Sequence, residues 1–358
     1  MSPMPPSVSV LLAAYNAEPY IAEAVESVLA QTFSDFELIV VNDGSTDRTA
    51  DIVRSYSDPR LIILDNDCNL GLTPSLNRGL AAARGDFIAR LDADDLATPE
   101  RLQRQVAFLN TRTDVVLVGA NVRVIDSGGA VLGTYTHPEA HSAIRWVLLF
   151  DCPFTHSTVM WRREPVARHI GNYDLAFQYA MDWELWSRVA SRFRVANIPE
   201  VLAAYRLGPH SMTETHAGVD VEIQAARLAA LRHLFGPDAS RLKELCSRMY
   251  ALQDGFDERT GMEAIREAVR ASMEMHAAFV KQLVPESLEG VERRSWIHSW
   301  VAGRLYNRAR VAVRRGQQRL GLKLFTEGFR LSPRSALTMD AARFMYAIAR
   351  HLVGSRGR

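Results

Sequence analysis

Four apolar runs fall within the first 91 residues of this 358-residue chain and alternate with stretches of helical spacing. The runs are Val8–Ala14, Phe36–Val41, Arg60–Leu64 and Phe87–Leu91. Apolar strands that alternate with helices are typical of a mainly parallel sheet covered by helices on both faces, with right-handed crossovers. We therefore predict an α/β fold, in which ligands bind beyond the carboxyl ends of the strands.

Polar residues follow three of the four runs. They are Tyr15-Asn16 after the first run, Asn42-Asp43-Gly44 after the second and Asp92-Ala93-Asp94 after the fourth. Because the carboxyl ends of parallel strands meet at one edge of a sheet, we expect these loops to converge on one cleft. No G-x-G-x-x-G pattern follows the first run, which counts against a dinucleotide-binding dehydrogenase.

The acidic residues Asp92, Asp94 and Asp95 place three carboxylates within four positions, directly after a strand. Carboxylates this close repel one another unless a cation lies between them. Oxygen ligands suit Mg²⁺ or Mn²⁺, which takes further ligands from the phosphates of a substrate. The pattern predicts a metal–diphosphate site. The alternative is an acidic turn that caps the helix beginning near Thr98-Pro99-Glu100.

The middle of the chain continues as short strands and helices. We predict a helix over Glu100–Asn110, strands over Val115–Gly119, Ser157–Trp161, Phe193–Ile198 and Leu202–Tyr205, a hairpin of Val122–Ile125 with Val131–Tyr135, and a helix from Met181 to about Ser191. The segment Gly208–Gly218 is rich in Gly, Pro, Ser, Thr and His, which predicts a mobile loop.

From Val219 onward the pattern is entirely helical. Gly303–Pro333 has small or aromatic residues at tetratricopeptide-like positions, but we favour a plain helical hairpin over a single repeat unit. We therefore predict a first domain over residues 1–218, with one half at 7–120 and a second half at 121–218. A helical region at 219–358 follows.

Composition points to an ordinary soluble globular protein, with 47% hydrophobic and 23% charged residues. The amino-terminal apolar run Val8–Ala14 has no Lys or Arg before it and is seven residues long, so we expect neither a signal peptide nor a membrane span. The cysteines, Cys68, Cys152 and Cys246, are odd in number and far apart, which indicates a reducing compartment. We expect a cytoplasmic protein.

The charge is distributed unevenly along the chain. Residues 301–358 contain 13 Lys or Arg and 2 Asp or Glu, although the net charge of the whole chain is only +1. A basic tail on an acidic body indicates an anionic partner. We expect peripheral contact with an anionic membrane, at its inner face, rather than with nucleic acid. The alternative is a solvated helical face.

Five pieces of the sequence, in this order, resemble the family 2 glycosyltransferases, which are inverting enzymes with the A-type fold. They are Val8–Asn16, Val40–Asp47, Asn69–Gly71, Leu91–Asp95 and Asp182–Trp186. The resemblance covers residues 7 to about 206. It implies that the domain over residues 1–218 is catalytic, with its nucleotide-sugar half at 7–120 and its acceptor half at 121–218. It implies a nucleotide-diphosphosugar transferase sheet flanked by helices, followed by the all-helical carboxyl-terminal region.

On the donor side, the resemblance implies that Asp94 holds a Mn²⁺ or Mg²⁺ ion and that Asp92 reaches the ribose or the ion and its waters. Asp43 matches the family residue that accepts a hydrogen bond from the nucleobase, and its carboxylate suits the imide N–H of uracil. Its alternative role is in a turn, although Asp47 suits helix capping better. The residues assigned to nucleotide-sugar binding are Ala14, Tyr15, Asp43, Asn77, Arg78, Arg90, Asp92 and Ala93.

On the acceptor side, Asp182 matches the position of the family's catalytic base. An acceptor hydroxyl must lose a proton as it attacks, and a positioned carboxylate can take that proton. Glu184 lies two positions away and is the alternative base. An Asp at this place is also typical of a helix amino terminus. The family often has a second acid directly before the base, where this chain has Met181.

Three further residues are candidates for the same cleft. His156 precedes a predicted strand and is a candidate for the acceptor side. The segment from Tyr205 to Ser211 resembles the family's closing loop, in which Arg206 is a candidate phosphate clamp. His210 stands two positions beyond the place where the family commonly has His, and is a candidate for contact with the metal or the diphosphate.

The sequence therefore predicts an inverting, metal-dependent glycosyltransferase. We expect it to use a UDP-sugar and to act on a glycan or lipid-linked acceptor in surface polysaccharide or glycolipid synthesis. A sugar nucleotidyltransferase is an alternative, but it needs a Gly-rich basic loop that Ala13–Glu18 does not supply. A second alternative is a nucleotide-binding scaffold that acts through its helical tail.

Overall fold

A computed structural model describes residues 5–208, 219–254, 256–257, 259–282 and 290–337. Contacts between residues group the chain into two compact units, Met1–Leu234 and Phe235–Arg358. The helix Val219–Phe235 therefore groups with the first unit, although we predicted the domain boundary at residue 218. The division of catalytic function at that residue stays a prediction.

The first unit is built on a mixed sheet, which has nine strands in the described part of the chain. The strands are β1 (Val8–Ala14), β2 (Phe36–Asn42), β3 (Leu61–Asp65), β4 (Phe87–Arg90), β5 (Leu96–Ala97), β6 (Val115–Ile125), β7 (Val131–Tyr135), β8 (Met160–Arg162) and β9 (Arg194–Arg206). Their order is β3-β2-β1-β4-β8-β6-β9-β5, and β7 pairs with β6.

Helices flank this sheet. They are α1 (Ile21–Leu29), α2 (Thr49–Arg54), α3 (Leu72–Ala82), α4 (Arg101–Thr111), α5 (His141–Val147), α6 (Arg163–His169), α7 (Met181–Arg192) and α8 (Val219–Phe235). In α1, the residues Ile21, Ala24, Val25 and Val28 are buried, which is the spacing of one helix face toward the core.

The strands β3, β2, β1 and β4 are parallel, as predicted. All seven residues of β1 and of β2 are buried, which explains why these runs are almost continuously apolar. Each buried Val, Leu or Ile side chain contributes about 1.5–3 kcal/mol relative to exposure. The α/β class and the flanking helices are confirmed, and the antiparallel pairings of β8 with β4 and β6 make the sheet mixed.

Two predicted strands are one strand in the structure. Phe193–Ile198 and Leu202–Tyr205 both belong to β9, which pairs with β6 through a register shift. Ile198 is opposite Ala120, and Val201 is opposite Asn121, so Pro199 and Glu200 form a bulge. Because a bulge accommodates a proline without a ladder hydrogen bond, the strand continues past it.

A second difference concerns Ser157–Trp161, which begins as the 3₁₀ turn His156–Thr158 before β8. The Thr158 N–H donates to the Thr155 carbonyl oxygen at 2.8 Å and closes this turn. The hairpin of β6 and β7 is present as predicted. In the predicted mobile loop Gly208–Gly218, residues 209–218 lie outside the described residues.

The second unit is helical, as predicted. Its helices are α9 (Ala239–Asp254), α10 (Met262–Gln282), α11 (Arg294–Arg314) and α12 (Gln318–Leu331). Gly316, with φ +79°, lies between α11 and α12, which form the predicted hairpin. The ring of Tyr306 packs against Phe325 at a centroid distance of 5.2 Å. None of the helices in the described ranges has the length and apolarity that crossing a bilayer requires.

Candidate active site

The three polar loops lie at one edge of the sheet, as predicted. The Leu91 N–H donates to the Leu11 carbonyl oxygen at 3.1 Å, and the Asp43 N–H donates to the Ala14 carbonyl oxygen at 2.8 Å. These bonds join the ends of β4 and β2 to β1. Ala14 is buried, whereas Tyr15 beside it is 46% exposed, so the Tyr15 ring is accessible for stacking on a planar ligand.

Asp92 is held as an ionised carboxylate. Arg90 Nη2 donates to its Oδ1 at 2.5 Å, and the Ser157 hydroxyl donates to its Oδ2 at 2.9 Å. Burial raises the pKa of Asp92, but the charge of Arg90 and these hydrogen bonds outweigh it and hold the pKa below its ordinary value. The Asp92 side chain is 27% exposed, so it can still contact a ligand.

Two buried arginines stabilise Asp92, one by direct contact and the other through the first. Arg90 is fully buried, and Arg101 Nη2 donates to the Arg90 carbonyl oxygen at 2.7 Å. Burial and then the charge of Arg90 lower the pKa of Arg101 to about 9, so the Arg101 guanidinium remains cationic at neutral pH. Direct contact of Arg90 with a nucleotide stays a prediction, and its complete burial argues for an action through Asp92 instead.

Sequence reasoning missed Arg101 and Ser157. Ser157 is 65 positions from Asp92 along the chain, and no local pattern connects them. Arg101 lies on the buried stripe of α4 with Leu102 and Gln105. A charged residue at a position that the helical period assigns to the core was the one available signal.

Asp94 and Asp95 differ from Asp92. Burial and then the charge of Asp92 raise the pKa of Asp94 to about 6. Asp95 is fully buried, and its Oδ1 accepts a hydrogen bond from the Arg206 N–H at 2.8 Å. Asp95 therefore anchors the end of β9. Burial and then the charges of Asp92 and Asp94 raise the pKa of Asp95 well above its ordinary value, so Asp94 and Asp95 both face the charge of Asp92.

This pair of carboxylates fits a hard divalent cation. In the ranges that the structure describes, no three His, Cys, Asp or Glu side chains form a ligand cluster. Mg²⁺ and Mn²⁺ are commonly held by one or two carboxylates, with water and substrate phosphates completing the shell. Asp92 and Asp94 can supply those carboxylates, and a cation between them would relieve the repulsion that raises the pKa of Asp94.

Asp43 is occupied by hydrogen bonds within the chain. Its Oδ1 accepts from Asn66 Nδ2 at 2.6 Å and from the Leu70 N–H at 2.9 Å, and its Oδ2 accepts from the Gly71 N–H at 2.9 Å. A carboxylate offers about four acceptor positions, so one remains for a nucleobase. This geometry supports the turn role that the sequence left open, and base recognition by Asp43 stays a prediction.

The two candidate binding residues of α3, Asn77 and Arg78, also contact the chain itself. Asn77 Nδ2 donates to the Tyr173 carbonyl oxygen at 2.9 Å, and Asn77 Oδ1 accepts from the Tyr173 N–H at 3.1 Å. Arg78 is exposed, and its Nη1 donates to the Asp65 carbonyl oxygen at 2.6 Å. Asn77 thus tethers the segment around Tyr173, while Arg78 lies beside the end of β3. Donor contact by either residue stays a prediction.

Asp182 lies in the first turn of α7, half-buried. Its Oδ1 accepts from the Trp183 N–H at 2.7 Å, and its Oδ2 accepts from Cys152 Sγ at 3.7 Å. Burial raises its pKa to about 6, against the lowering effect of the Trp183 hydrogen bond, and the charge of Asp92 raises it further. The structure thus brings Asp182 into electrostatic contact with the acids at the sheet edge. A carboxylate of this pKa is suited to accept a proton near neutral pH.

Glu184 has a different environment from Asp182. It is buried, and Arg188 donates to both of its oxygens at 2.7 Å from Nε and Nη2. His233 Nε2 lies 3.4 Å from its Oε1. Burial raises the pKa of Glu184, but the hydrogen bonds of His233 and Arg188 outweigh it and hold the pKa below its ordinary value. A buried, paired carboxylate is a weak base, so the geometry favours Asp182 for that role.

His156 lies in an aromatic environment. Its Nε2 is 2.8 Å from the Tyr173 hydroxyl oxygen, and its ring packs edge-on against Trp186 at a centroid distance of 6.2 Å. Burial and then the charge of Arg90 lower its pKa to about 3, so the imidazole is neutral. His156 can therefore take part in hydrogen bonding on the acceptor side, and this role stays a prediction.

Arg206 serves as a structural tie. Its Nε donates to the Asp94 carbonyl oxygen at 2.8 Å, and its Nη2 donates to Glu23 Oε2 at 2.7 Å. Its Nη1 donates to the Ser127 carbonyl oxygen at 3.1 Å. Because the guanidinium is buried and committed to these acceptors, its geometry argues against the predicted phosphate clamp. The other candidate of this loop, His210, lies outside the described residues.

Comparison with known proteins decides the family. Residues 9–171 match the family model described as glycosyl transferase family 2. The amylovoran biosynthesis glycosyltransferase AmsE of Erwinia amylovora is 31% identical over 227 residues, which are 62% of this chain and 84% of AmsE. This chain belongs to glycosyl transferase family 2. An uncharacterized glycosyltransferase of Haemophilus influenzae is 35% identical over 212 residues, 56% of this chain and 66% of that protein.

A solved structure supports the same fold. TarS residues 1–349 of S. aureus, crystallised in complex with UDP-GlcNAc, has a TM-score of 0.58 to this family 2 glycosyltransferase at 18% identity. The similarity covers 90% of this chain and 91% of that one. At this level of identity the likeness shows the fold alone, and it confirms the predicted glycosyltransferase sheet with additional helices.

Proposed function

We propose that this glycosyltransferase moves a sugar from a nucleotide sugar, with UDP-sugars as the first choice, to an acceptor hydroxyl, with inversion at the anomeric carbon. One observation carries the proposal. Asp92 and Asp94 follow the central strand β4 at the sheet edge, and Asp182 is close enough for the charge of Asp92 to raise its pKa. This arrangement supports a diphosphate site and a catalytic base that would share one cleft.

On the donor side, Asp92 and Asp94 would hold Mn²⁺ or Mg²⁺, and Tyr15 would stack on the nucleobase. A bound divalent cation supplies charge stabilisation to the departing diphosphate as a Lewis acid. The chain's own part is to keep Asp92 ionised through Arg90 and Ser157. It also places the two carboxylates directly after the buried strand β4.

On the acceptor side, Asp182 would take the proton of the attacking hydroxyl. Such general base catalysis typically contributes about 10²–10⁴-fold in rate. The Trp183 N–H and the Cys152 thiol each donate to one oxygen of this carboxylate and fix its orientation. Inversion needs only this one base, on the sugar face opposite the leaving group.

The biological setting is proposed from relatives. AmsE is described as an amylovoran biosynthesis glycosyltransferase, and TarS was crystallised with UDP-GlcNAc. By analogy we propose a glycan or lipid-linked acceptor in surface polysaccharide or glycolipid synthesis. Family membership argues against the sugar nucleotidyltransferase. The ionised, supported Asp92 argues against a scaffold with a degenerate site.

A cytoplasmic location and peripheral contact with an anionic membrane are part of this proposal. The contact would be made by the basic region after residue 300, of which residues 338–358 lie outside the described part. Sedimentation of the full chain with vesicles that contain anionic lipid tests it. We expect binding that weakens at high salt, and binding unchanged by removal of residues 301–358 would contradict it.

The transfer reaction itself can be tested with the purified chain and a panel of UDP-, GDP- and deoxythymidine diphosphate sugars. We expect release of UDP from one sugar donor in the presence of Mn²⁺ and none with EDTA. The anomeric configuration of the product, measured by NMR and compared with that of the donor, tests whether the reaction proceeds with inversion. Release of GDP instead would overturn the proposed choice of UDP-sugars. Release of UDP that is unaffected by EDTA would overturn the proposed dependence on a metal ion.

A further inference from the structure

Helix α8 contacts the segment that carries Asp182, although neither belongs to the family match, which ends at residue 171. Both lie in the first unit of the structure. Three side chains of α8, from Glu222, Arg227 and His233, make these contacts. Glu222 contacts the backbone directly before α7, whereas Arg227 and His233 contact Trp183 and Glu184 in its first turn.

The Glu222 carboxylate binds three successive backbone amides. The Gln178 N–H lies 3.0 and 2.9 Å from its two oxygens, and the N–H groups of Tyr179 and Ala180 donate to Oε2 at 2.7 and 3.1 Å. Successive amides that point at one anion form an anion-binding nest. Hydrogen bonds to a charged acceptor are about twice as strong as neutral ones.

Helix α7 needs such a partner at its amino terminus. It begins at Met181, and the preceding Ala180 has no side chain that can cap it. A carboxylate near a helix amino terminus also interacts favourably with the helix dipole. Because Asp182 is the second residue of α7, the backbone at 178–180 determines where its carboxylate points.

The other two contacts fix α8 itself. Arg227 Nε donates to the Phe150 carbonyl oxygen at 3.2 Å, and its guanidinium lies 5.9 Å from the centre of the Trp183 ring. His233 lies 3.4 Å from Glu184. Phe150 is two residues before Cys152, the other partner of Asp182. Helix α8 therefore contacts both segments that orient the Asp182 carboxylate.

We propose that Glu222 is a positioning residue for the catalytic base, acting through the amides of residues 178–180. The inference rests on the proposed role of Asp182. It makes α8 part of the catalytic unit and extends the functional chain beyond the residues that the family pattern covers. Loss of the tether should impair proton transfer and leave donor binding intact.

The test compares E222A and E222Q with D220A as the matched control. Asp220 is an exposed acid two positions earlier on the same helix. We expect kcat of E222A to fall about tenfold to a hundredfold, because a small displacement of a reacting group has an effect of that size. The KM for the donor should stay within about twofold. E222Q keeps one acceptor oxygen and should retain more of kcat than E222A.

A second readout does not depend on catalysis. Amide hydrogen exchange at residues 178–180 should accelerate in E222A and E222Q and stay unchanged in D220A. If E222A does not fold, E222Q carries the test. A kcat of E222A equal to that of D220A, unchanged exchange at 178–180, or kcat and KM losses of equal size would each overturn the proposal. Full activity of D182N would instead refute the base assignment, while the exchange result would still judge the tether.

Discussion

The proposed donor side and the proposed base side of the site are positioned by different kinds of structure. Asp92 and Asp94 follow β4, a buried strand in parallel pairing with β1. Asp182 lies at the start of a helix, and distant residues, Cys152 and Glu222, contact it or the backbone before it. The donor side thus belongs to the rigid sheet, whereas the base side depends on a few long-range contacts.

The electrostatics of the two sides follow one rule. Asp92 and Glu184 each have an arginine partner, and their pKa values lie below the ordinary ones. Within the described residues, no arginine is hydrogen bonded to the carboxylate of Asp94 or of Asp182, and burial raises their pKa values to about 6. Of the acids Asp92 and Asp94, the first is held ionised and the second is available to bind a cation. Of the acids Glu184 and Asp182, the first is held ionised and the second is available to bind a proton.

The largest effect should come from D182N. Removal of the base should lower kcat by about 10²–10⁴-fold, because the amide cannot accept the acceptor's proton. Since Asp182 is absent from the donor side, affinity for UDP should stay within about twofold of wild type. Initial rates and a UDP titration on the same preparation check this. A parallel loss of UDP affinity would mean that the two sides are not separable.

The substitution E184Q should act on stability instead. Breaking the buried pair with Arg188 should lower the free energy of unfolding by about 3 kcal/mol at neutral pH, and kcat per folded molecule should change little. The folded-state pKa of Glu184 is lowered, so this stability is present above the unfolded pKa of about 4.3. It is lost as the pH falls through the folded value. Urea unfolding at several pH values measures it, and a loss of kcat as large as in D182N would reassign the base.

The pH dependence should separate the two sides in one enzyme. Because Asp182 must be ionised to act as the base, kcat at saturating donor should fall about tenfold per pH unit below about pH 6. Affinity for Mn²⁺ should weaken over the same range, because protons compete for Asp94. Rate profiles and metal titrations report the two groups separately. A flat kcat profile down to pH 5 would contradict the assignment of Asp182.

The smallest effect should come from C152A. The Cys152 thiol lowers the pKa of Asp182 through its hydrogen bond, so its removal should shift the acidic limb of the kcat profile upward by less than about one pH unit. In C152S, whose hydroxyl can also donate a hydrogen bond to Asp182, the acidic limb of the kcat profile should return toward its wild-type position. A downward shift in C152A would show that the thiol acts on Asp182 in some other way.

The donor side could be predicted from the sequence because its residues directly follow recognisable strands. The runs Val8–Ala14 and Phe87–Leu91 are apolar because both faces of their strands are buried, and the polar loops after them mark the carboxyl ends. Parallel pairing then brings Tyr15 and Asp92 to one edge. The acids, their order and the α/β class follow from pattern and spacing.

The base side was harder to predict from the sequence because residues far apart in the chain contact Asp182 or the backbone before it. Glu222 is 42 positions from Ala180, and Cys152 is 30 positions from Asp182. Neither distance leaves a periodic signal. Sequence reasoning favoured Asp182 and kept Glu184 as the alternative base, and the contacts of Arg188 and His233 with Glu184 support that order. The candidate acids could be predicted from the sequence. The distant residues that orient them and shift their pKa values could not.

The most direct test of the division into two sides is a calorimetric titration of UDP into wild type, D94N and D182N in the presence of Mn²⁺. We predict that D94N loses at least about tenfold in affinity, as removal of a group that supports a metal typically does. EDTA should weaken wild type to the same level, whereas D182N should bind as wild type does. Equal losses in both variants, or no loss in D94N, would contradict the account.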